Sequence, residues 1–147
     1  MMIWREGTEA DVPAVVALLL DDELGKWREN ADPSVYLSAF RTMQSEGANH
    51  LIVGEEGGEL IACYQITFIA SLSLGATRRG QIEGVRVAAS RRGQRIGEAL
   101  MKDAEARARA AGCAILQLTT NKIRTDAHRF YERLGFTPSH IGYKKSL

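Results

Sequence analysis

Hydrophobic residues recur along the chain with two different periods, and each period predicts one kind of element. In the second half, apolar residues recur every three or four positions opposite a face of charged pairs, which predicts an amphipathic helix. Its apolar stripe contains Ile96, Leu100, Ala104, Ala108 and Ala111. Short runs rich in branched residues predict strands on either side of this helix, at Gln81–Val87 and Ala114–Thr119.

The first half of the chain predicts a strand, two helices and a hairpin on the same grounds. An aspartate precedes each helix and a proline lies in its first turn, where a missing N–H costs little. Paired glycines separate the two strands of the hairpin. The predicted elements are a strand at Ile3–Arg5, helices after Asp11 and Asp32, and strands at His50–Gly54 and Leu60–Phe68.

The C-terminal part predicts a further helix at Asp126–Leu134 and a final strand at Ile141–Lys145. The predicted order is therefore β-α-α-β-β-β-α-β-α-β, an α/β (α+β) fold with a mixed central sheet and helices on both faces. The unit from Gln81 to Thr119 is a β-α-β crossover, so its two strands should be parallel. Neither a linker nor a repeat divides the chain, and we expect residues 1–147 to form a single domain.

Composition narrows the classes of function. The 147 residues are 45% hydrophobic and 25% charged with a formal net charge of +1, an ordinary globular balance. This charge favours no nucleic-acid partner, and no apolar run is long enough to predict a membrane partner. Cys63 and Cys113 lie far apart without metal-ligand spacing, so we interpret both as packing residues and predict no metal site. Without a signal-peptide pattern, the expected location is the cytoplasm.

A basic turn that contains glycine precedes the long helix. Residues 91–97 have the sequence Arg-Arg-Gly-Gln-Arg-Ile-Gly. Backbone N–H groups at a helix start attract anions, glycine allows a ligand to come close, and arginine pairs with phosphate oxygens. A solvated basic helix start is the alternative interpretation. The Walker and dinucleotide-binding patterns are both absent, which leaves a short turn for a pyrophosphate.

This turn resembles motif A of the GNAT family of acetyltransferases, Q/R-x-x-G-x-G/A, with Arg92 and Gly97 at its ends. Arg95 takes the fourth position, where the family has glycine, and an arginine there leaves its N–H free for phosphate provided that its φ is negative. Residues 127–136 are similar to the family's C-terminal signature A-x-x-F-Y-x-x-x-G-F. The resemblance implies the GNAT fold and acetyl-CoA as co-substrate.

The resemblance also implies which residues contact the co-substrate. These are Val85, Val87, Arg92, Gly93, Gln94, Arg95, Ile96, Gly97, Asn121 and Arg124. In the family, the strand matching Gln81–Val87 separates from its neighbour, and the pantetheine arm enters the gap and pairs with the strand backbone. Family members often carry asparagine at the position of Arg124. We therefore leave open whether the nearby Asn121 contacts the co-substrate and whether Arg124 or Lys122 contacts a CoA phosphate.

Three residues are candidates for the chemistry. By resemblance, the Val85 N–H stabilises the oxyanion and Tyr131 donates a proton to the departing thiolate, although packing alone would also explain Tyr131. Strand alternation puts Glu83 on the face of Val85 and Val87, where it can act as the general base. A surface glutamate or a cross-strand salt bridge is the alternative for Glu83.

The sequence is less informative about the acceptor. By resemblance, its pocket should form from residues 21–31, residues 71–79 and the end near His140, which together carry both signs of charge. The run from Thr119 to His140 is similar to aminoalkylphosphonate-type N-acetyltransferases, which favours a small molecule over a protein as acceptor. We expect acetyl transfer to a primary amine by direct attack in a ternary complex. A protein or peptide N-acetyltransferase and a non-catalytic CoA-binding regulatory module are the alternatives. Homodimer formation stays open.

Overall fold

Five strands of the described residues form one mixed sheet whose order follows the chain. The computed structural model of the protein describes residues 1–22, 25–29 and 31–147. Neighbouring strands are antiparallel except for the last pair, which is parallel as the predicted crossover requires. The strands are β1 (Ile3–Glu6), β2 (Asn49–Glu56), β3 (Glu59–Ile69), β4 (Arg79–Val87) and β5 (Ile115–Leu118).

Helices cover both faces of this sheet, which confirms the predicted architecture. They are α1 (Val12–Leu20), α2 (Gly25–Arg28), α3 (Pro33–Glu46), α4 (Ser73–Ala76), α5 (Ile96–Ala110) and α6 (Thr125–Arg133). Over the described ranges, each helix is too short or too polar to cross a bilayer. Glu23, Leu24 and Asn30, which belong to the predicted acceptor segment, lie outside the described residues.

Strand alternation sorts the core side chains between the two faces. On one face, Tyr64, Ile66 and Ile82 are buried in a cluster with the apolar stripe of α5. On the other face, Val53 and Cys63 are buried in a cluster with α1. The two faces are called the α5 face and the α1 face below. The α6 helix also packs on the α5 face.

A β-bulge interrupts β4 at Gly84. Between the pairs Gln65↔Glu83 and Cys63↔Arg86, β3 spans two steps and β4 spans three, so β4 carries one extra residue. Gly84 has a φ of +60°, a conformation that glycine adopts without steric cost. The extra residue reverses the alternation of side chains from this point to the end of β4, and this reversal determines the geometry of the site.

The predicted final strand at Ile141–Lys145 is wrong. Residues 134–147 form no strand in the structure, and Ile141 and Tyr143 are 70% and 90% exposed. A strand needs the backbone of a neighbouring strand to satisfy its own N–H and C=O groups. The alternating pattern at Ile141–Lys145 is a local property, and it cannot supply that neighbour.

An ion-paired network fixes the start of α1 on the sheet. The Asp11 carboxylate accepts hydrogen bonds from Arg5 at 2.7 and 3.0 Å and from the Thr8 N–H at 2.7 Å. Arg5 also donates to Glu55 on β2 at 3.2 Å. The Arg5 guanidinium is the main cause that lowers the pKa of Asp11 to about 2. Asp11 thus joins α1 to the sheet, and the other end of α1 reaches the candidate site.

We predict that Asp11→Asn lowers the free energy of unfolding at neutral pH by about 1–2 kcal/mol. The folded-state pKa of Asp11 lies below its ordinary value of 3.8. Its contribution is therefore complete above that value and is lost as the pH falls towards about 2. Urea unfolding across this range should show the stabilities of the two proteins converging at acid pH.

Asp126→Asn is the matched control for this change. Asp126 is exposed and pairs with Arg129 at the surface of α6, where ion pairs contribute little. Its removal should leave the pH profile of stability close to that of the wild type. A stability difference between wild type and Asp11→Asn that stays constant down to acid pH would contradict the assignment to the Asp11 carboxylate.

Candidate active site

The strands β4 and β5 separate halfway along β4. Their parallel ladder ends at the pair Ile82↔Leu118. From Glu83 to Val87, β4 has β3 as its one strand partner among the described residues, so no described strand covers its other edge. Within this part of β4, the Val85 backbone oxygen accepts a hydrogen bond from Arg86 Nη1 at 2.8 Å. A free strand edge can pair with an extended ligand through backbone hydrogen bonds. The gap lies where the sequence analysis expects the pantetheine arm.

The bulge puts the side chains of Glu83 and Val85 on different faces of the sheet, contrary to the expected alternation. Val85 and Val87 pack on the α5 face, whereas Glu83 pairs with Gln65 and has an exposed side chain. One inserted residue changes the parity of a strand. The prediction that Glu83 shares a face with Val85 and Val87 is therefore wrong. Glu83 instead shares the α1 face with Arg86.

A basic hollow of about 320 Å³ opens at the start of α5. Most of the predicted turn lines it, together with two residues of α6 that the turn motif does not contain. The lining residues are Val87, Arg91, Arg92, Gly93, Arg95, Ile96, Gly97, Glu98, Phe130 and Arg133. Four arginines and one glutamate line the hollow, and Arg91 is paired with Glu56 outside it. The remaining charges still make the hollow electropositive in a chain whose net charge is only +1. This charge and the adjoining helix start suit an anionic ligand.

Polar contacts hold the basic turn against the rest of the site. The side-chain oxygen of Gln94 accepts a hydrogen bond from Arg91 Nε at 3.0 Å, so Gln94 supports the turn from outside the lining. Arg92 is exposed, and its Nη2 lies 3.5 Å from the backbone oxygen of Asp21. The Asp21 carboxylate accepts from the Ala89 N–H at 3.2 Å. The end of α1 is thereby connected to the turn.

Arg95 has a left-handed backbone conformation, so the condition of a negative φ at this position is not met. Its φ is +59° and its ψ is +24°, a region that costs a residue with a Cβ roughly 1–2 kcal/mol. Gly93 also has a positive φ, of +79°, and a Cβ there would face open space. The glycine of the family motif would avoid the cost at position 95. The arginine adds an exposed guanidinium at the rim of the hollow instead.

Gly97 allows α5 and α6 to pack closely. A Cβ at this position would lie 3.3 Å from Cζ of Phe130, so a side chain would force the ring to move. The ring of Phe130 is also part of the hollow lining. The structure thus gives Gly97 a packing role, and its predicted contact with the co-substrate stays a prediction.

Tyr131 lies in α6 with its ring packed between other aromatic rings. The ring centroids of Phe130 and Phe136 lie 5.2 and 5.9 Å away in edge-on arrangements. Burial raises the pKa of Tyr131, and the positive charges of Arg124 and Arg86 oppose that rise. Both guanidinium groups are therefore within electrostatic reach of the phenol, which stays protonated at neutral pH as a proton donor must.

Asp22 lies in the predicted acceptor segment at residues 21–31, but neither Asp22 nor Arg86 was predicted to have a role of its own. Asp22 follows α1, and its carboxylate lies 3.3 Å from Arg86 Nη2 and 3.2 Å from Arg124 Nη2. The cluster connects the end of α1, the bulged part of β4 and the start of α6. No local pattern marks Asp22, because its partners are far away in sequence; Arg124 is 102 residues distant.

The two polar residues predicted near α6 have defined partners. Asn121 organises the loop that leads into the helix, where its side chain accepts from the Ile123 N–H at 3.1 Å and its backbone oxygen accepts from the Arg124 N–H at 3.0 Å. The Arg124 side chain pairs with Asp22, outside the basic hollow. Contact of either residue with the co-substrate stays a prediction.

We predict that Arg95→Gly raises the free energy of unfolding by about 0.5–1.5 kcal/mol, because glycine relieves the left-handed conformation. Arg95→Ala removes the same charge but keeps a Cβ, so it should give no such gain. Gly93→Ala, which introduces a Cβ at positive φ, should destabilise by about 1 kcal/mol. Denaturant unfolding of the three variants measures these differences. An equal gain for Arg95→Gly and Arg95→Ala would show that charge, and not backbone strain, is the cause.

Comparison with known proteins agrees with this geometry. The profile of the Acetyltransferase (GNAT) family matches residues 13–136 of the chain. The aminoalkylphosphonate N-acetyltransferase of Salmonella typhimurium is 33% identical over 146 residues, which cover 97% of this chain and 90% of that protein.

Solved structures give the same fold. The structure of a transcriptional regulator from Bacillus halodurans matches with a TM-score of 0.95 and 42% identity over 100% of both chains. An acetyltransferase from Trypanosoma brucei matches with a TM-score of 0.81 and 23% identity, also over 100% of both chains. The match over residues 13–136 covers most of the chain. The chain therefore belongs to the GNAT family and is an acetyltransferase, and the enzymes of this family use acetyl-CoA.

Proposed function

We propose that the protein transfers the acetyl group of acetyl-CoA to the primary amine of a small molecule, by direct attack in a ternary complex. One observation carries the proposal: the free edge of β4 leads directly into the basic hollow at the start of α5. An acyl-pantetheine arm needs a strand edge for its amides, and its pyrophosphate needs positive charge and free N–H groups. Val87 lies at the junction because it both ends β4 and lines the hollow.

The residues at hand fit acetyl-CoA as co-substrate. Arg92 and Arg95 are exposed at the hollow and are suited to phosphate oxygens. Val85 and Val87 lie on the part of β4 that β5 does not cover, where backbone pairing with the pantetheine amides is available. Under this assignment the Val85 N–H is the donor to the thioester oxygen, a type of contact that contributes about 2.7–4 kcal/mol in other acyl-transfer sites.

The chemistry then needs one base and one acid. The amine nitrogen attacks the thioester carbonyl carbon, a C–N bond forms and the C–S bond breaks. Glu83 takes the proton that the amine loses, directly or through water, and Tyr131 gives a proton to the departing thiolate. The bulge supports the assignment of the base and the acid to two separate residues, because it puts Glu83 on the α1 face while Tyr131 belongs to α6 on the α5 face.

The Salmonella relative supports a small-molecule acceptor, since it is an aminoalkylphosphonate N-acetyltransferase. The Bacillus halodurans protein, named as a transcriptional regulator, gives a reason to test a regulatory role as a second candidate. A thiol-release assay with acetyl-CoA separates the candidates. Release that depends on small primary amines supports the proposal, release only with peptides indicates a protein acceptor, and CoA binding without acceptor-dependent release indicates the regulatory module.

We predict that Glu83→Gln lowers kcat/KM by about 100-fold and removes the acid limb of the pH–rate profile. The carboxylate must be ionised to accept a proton, so wild-type activity should fall as the pH drops, and the amide has no such limb. Glu105→Gln, which changes an exposed glutamate on α5, is the control and should leave the profile intact. An unchanged acid limb in Glu83→Gln would assign the base to another group.

We predict that Tyr131→Phe lowers kcat by about 10–100-fold with little change in stability. The substitution keeps the ring that packs against Phe130 and Phe136 and deletes the phenolic proton. Single-turnover kinetics should show that the loss lies in the chemical step, and thermal unfolding should show that the fold is intact. Wild-type rates in the chemical step would reduce Tyr131 to a packing residue.

A further inference from the structure

Two arginines share one shielded carboxylate between β4 and α6. Asp22 lies 3.3 Å from Arg86 and 3.2 Å from Arg124. The side chains of Asp22 and Arg86 are only 9% and 13% exposed, and that of Arg124 is 38% exposed. One negative charge therefore faces two positive charges, and the positive charge of Arg86 is largely shielded from water. Such a charge is costly unless an anion compensates it.

The hydrogen-bonding capacity of this cluster is not filled by the described residues. Arg86 Nη1 donates to the Val85 backbone oxygen at 2.8 Å, but Arg86 Nε is buried without a hydrogen-bond partner among them. Asp22 Oδ2 is also without one, because its close approach to Arg86 lacks hydrogen-bond geometry. Arginine binds oxyanions best through paired, coplanar hydrogen bonds. A ligand with several anionic oxygens can therefore satisfy these two guanidinium groups better than the carboxylate that the chain provides.

The cluster lies beside the groups that the proposed reaction uses. The bulge at Gly84 puts Arg86 on the same face of β4 as Glu83, three positions away. Arg124 immediately precedes α6, and both arginines are within electrostatic reach of Tyr131. An anion held between the two guanidinium groups would thus lie beside the bulged part of β4, on the face that carries Glu83.

We propose that Arg86 and Arg124 form the subsite for an acidic group of the acceptor, and that Asp22 occupies this subsite while the acceptor is absent. The acceptor is then a primary amine that carries a phosphonate or carboxylate a few bonds from its nitrogen. Its anion displaces the Asp22 carboxylate from both guanidinium groups. This inference rests on the proposed function and assigns Arg124 to the acceptor in place of a CoA phosphate.

The effect of removing the Asp22 charge on acceptor binding distinguishes competition from a purely structural role, because the two roles predict changes of opposite sign. If Asp22 only positions the arginines, removal of its charge loosens them and weakens the binding of every acceptor. If Asp22 competes with the acceptor, removal of its charge frees the subsite and strengthens the binding of anionic acceptors alone. The reason is that occupation of the subsite by Asp22 lowers the apparent affinity for the acceptor's anion.

The test compares 2-aminoethylphosphonate and β-alanine with propylamine, a neutral-tailed amine of similar size. Asp22→Asn should lower KM for the two anionic amines by about 3- to 10-fold and leave KM for propylamine and acetyl-CoA unchanged. Arg86→Gln should raise KM for the anionic amines by about 10- to 100-fold, with a much smaller effect on propylamine. Arg124→Gln, at the more exposed end of the cluster, is the second variant if Arg86→Gln does not fold.

Arg129→Gln provides the matched control. Arg129 is an exposed α6 residue that pairs with Asp126, so the variant loses one arginine charge close to Arg124 along the chain but outside the cluster. Its KM values should equal those of the wild type. A rise of KM for all amines in Asp22→Asn, or an equal change for charged and neutral amines in the arginine variants, would overturn the inference.

Calorimetry with CoA and 2-aminoethylphosphonate separates this inference from the proposed function. Because CoA carries no acetyl group, the acceptor can bind in its presence without being acetylated. Binding that weakens in Arg86→Gln or Arg124→Gln and strengthens in Asp22→Asn supports the subsite even if no amine is acetylated. If amines are acetylated but the binding of 2-aminoethylphosphonate does not change in these variants, the proposed function is supported and the subsite is rejected. Thermal unfolding of each variant establishes that the compared proteins are folded.

Discussion

The free backbone edge of a central strand is the constraint on which the candidate site depends. Since β5 stops pairing at Leu118, one edge of the remainder of β4 has no strand partner within the described part of the chain. Packing keeps this part of β4 in place: Val85 and Val87 contact the α5 core, and Arg86 is held from the α1 face by Asp22. The gap is therefore supported on both sides while its edge stays available for a ligand.

The bulge at Gly84 gives this edge two chemically different faces. Apolar Val85 and Val87 point towards the α5 core, where a cofactor arm would lie on a rigid support. Glu83 and Arg86 project on the α1 face, which is the side of the predicted acceptor segment after α1. A regular strand would have put Glu83 with the valines and separated it from Arg86. One extra residue thus brings the proposed base and the proposed anion anchor to the same side.

The end of α1 connects the two halves of the site. Asp21 accepts a hydrogen bond from the backbone just before the basic turn, and the adjacent Asp22 binds the arginines beside the gap. At its other end, α1 is fixed to the sheet through Asp11 and Arg5. A short helix therefore links the position of the phosphate-binding turn to that of the acceptor cluster.

The sequence by itself determined what depends on neighbours close along the chain: the helices and strands, the basic turn before α5, and the family. It failed where the outcome depended on distant partners. The alternation of Glu83 with Val85 was broken by the register with β3, and the predicted strand at Ile141–Lys145 found no neighbour. The left-handed Arg95 and the Asp22 cluster were likewise decided by tertiary structure. Periodicity and motifs report local preference, whereas register and ion pairs between residues as much as 102 positions apart exist only once the chain has folded.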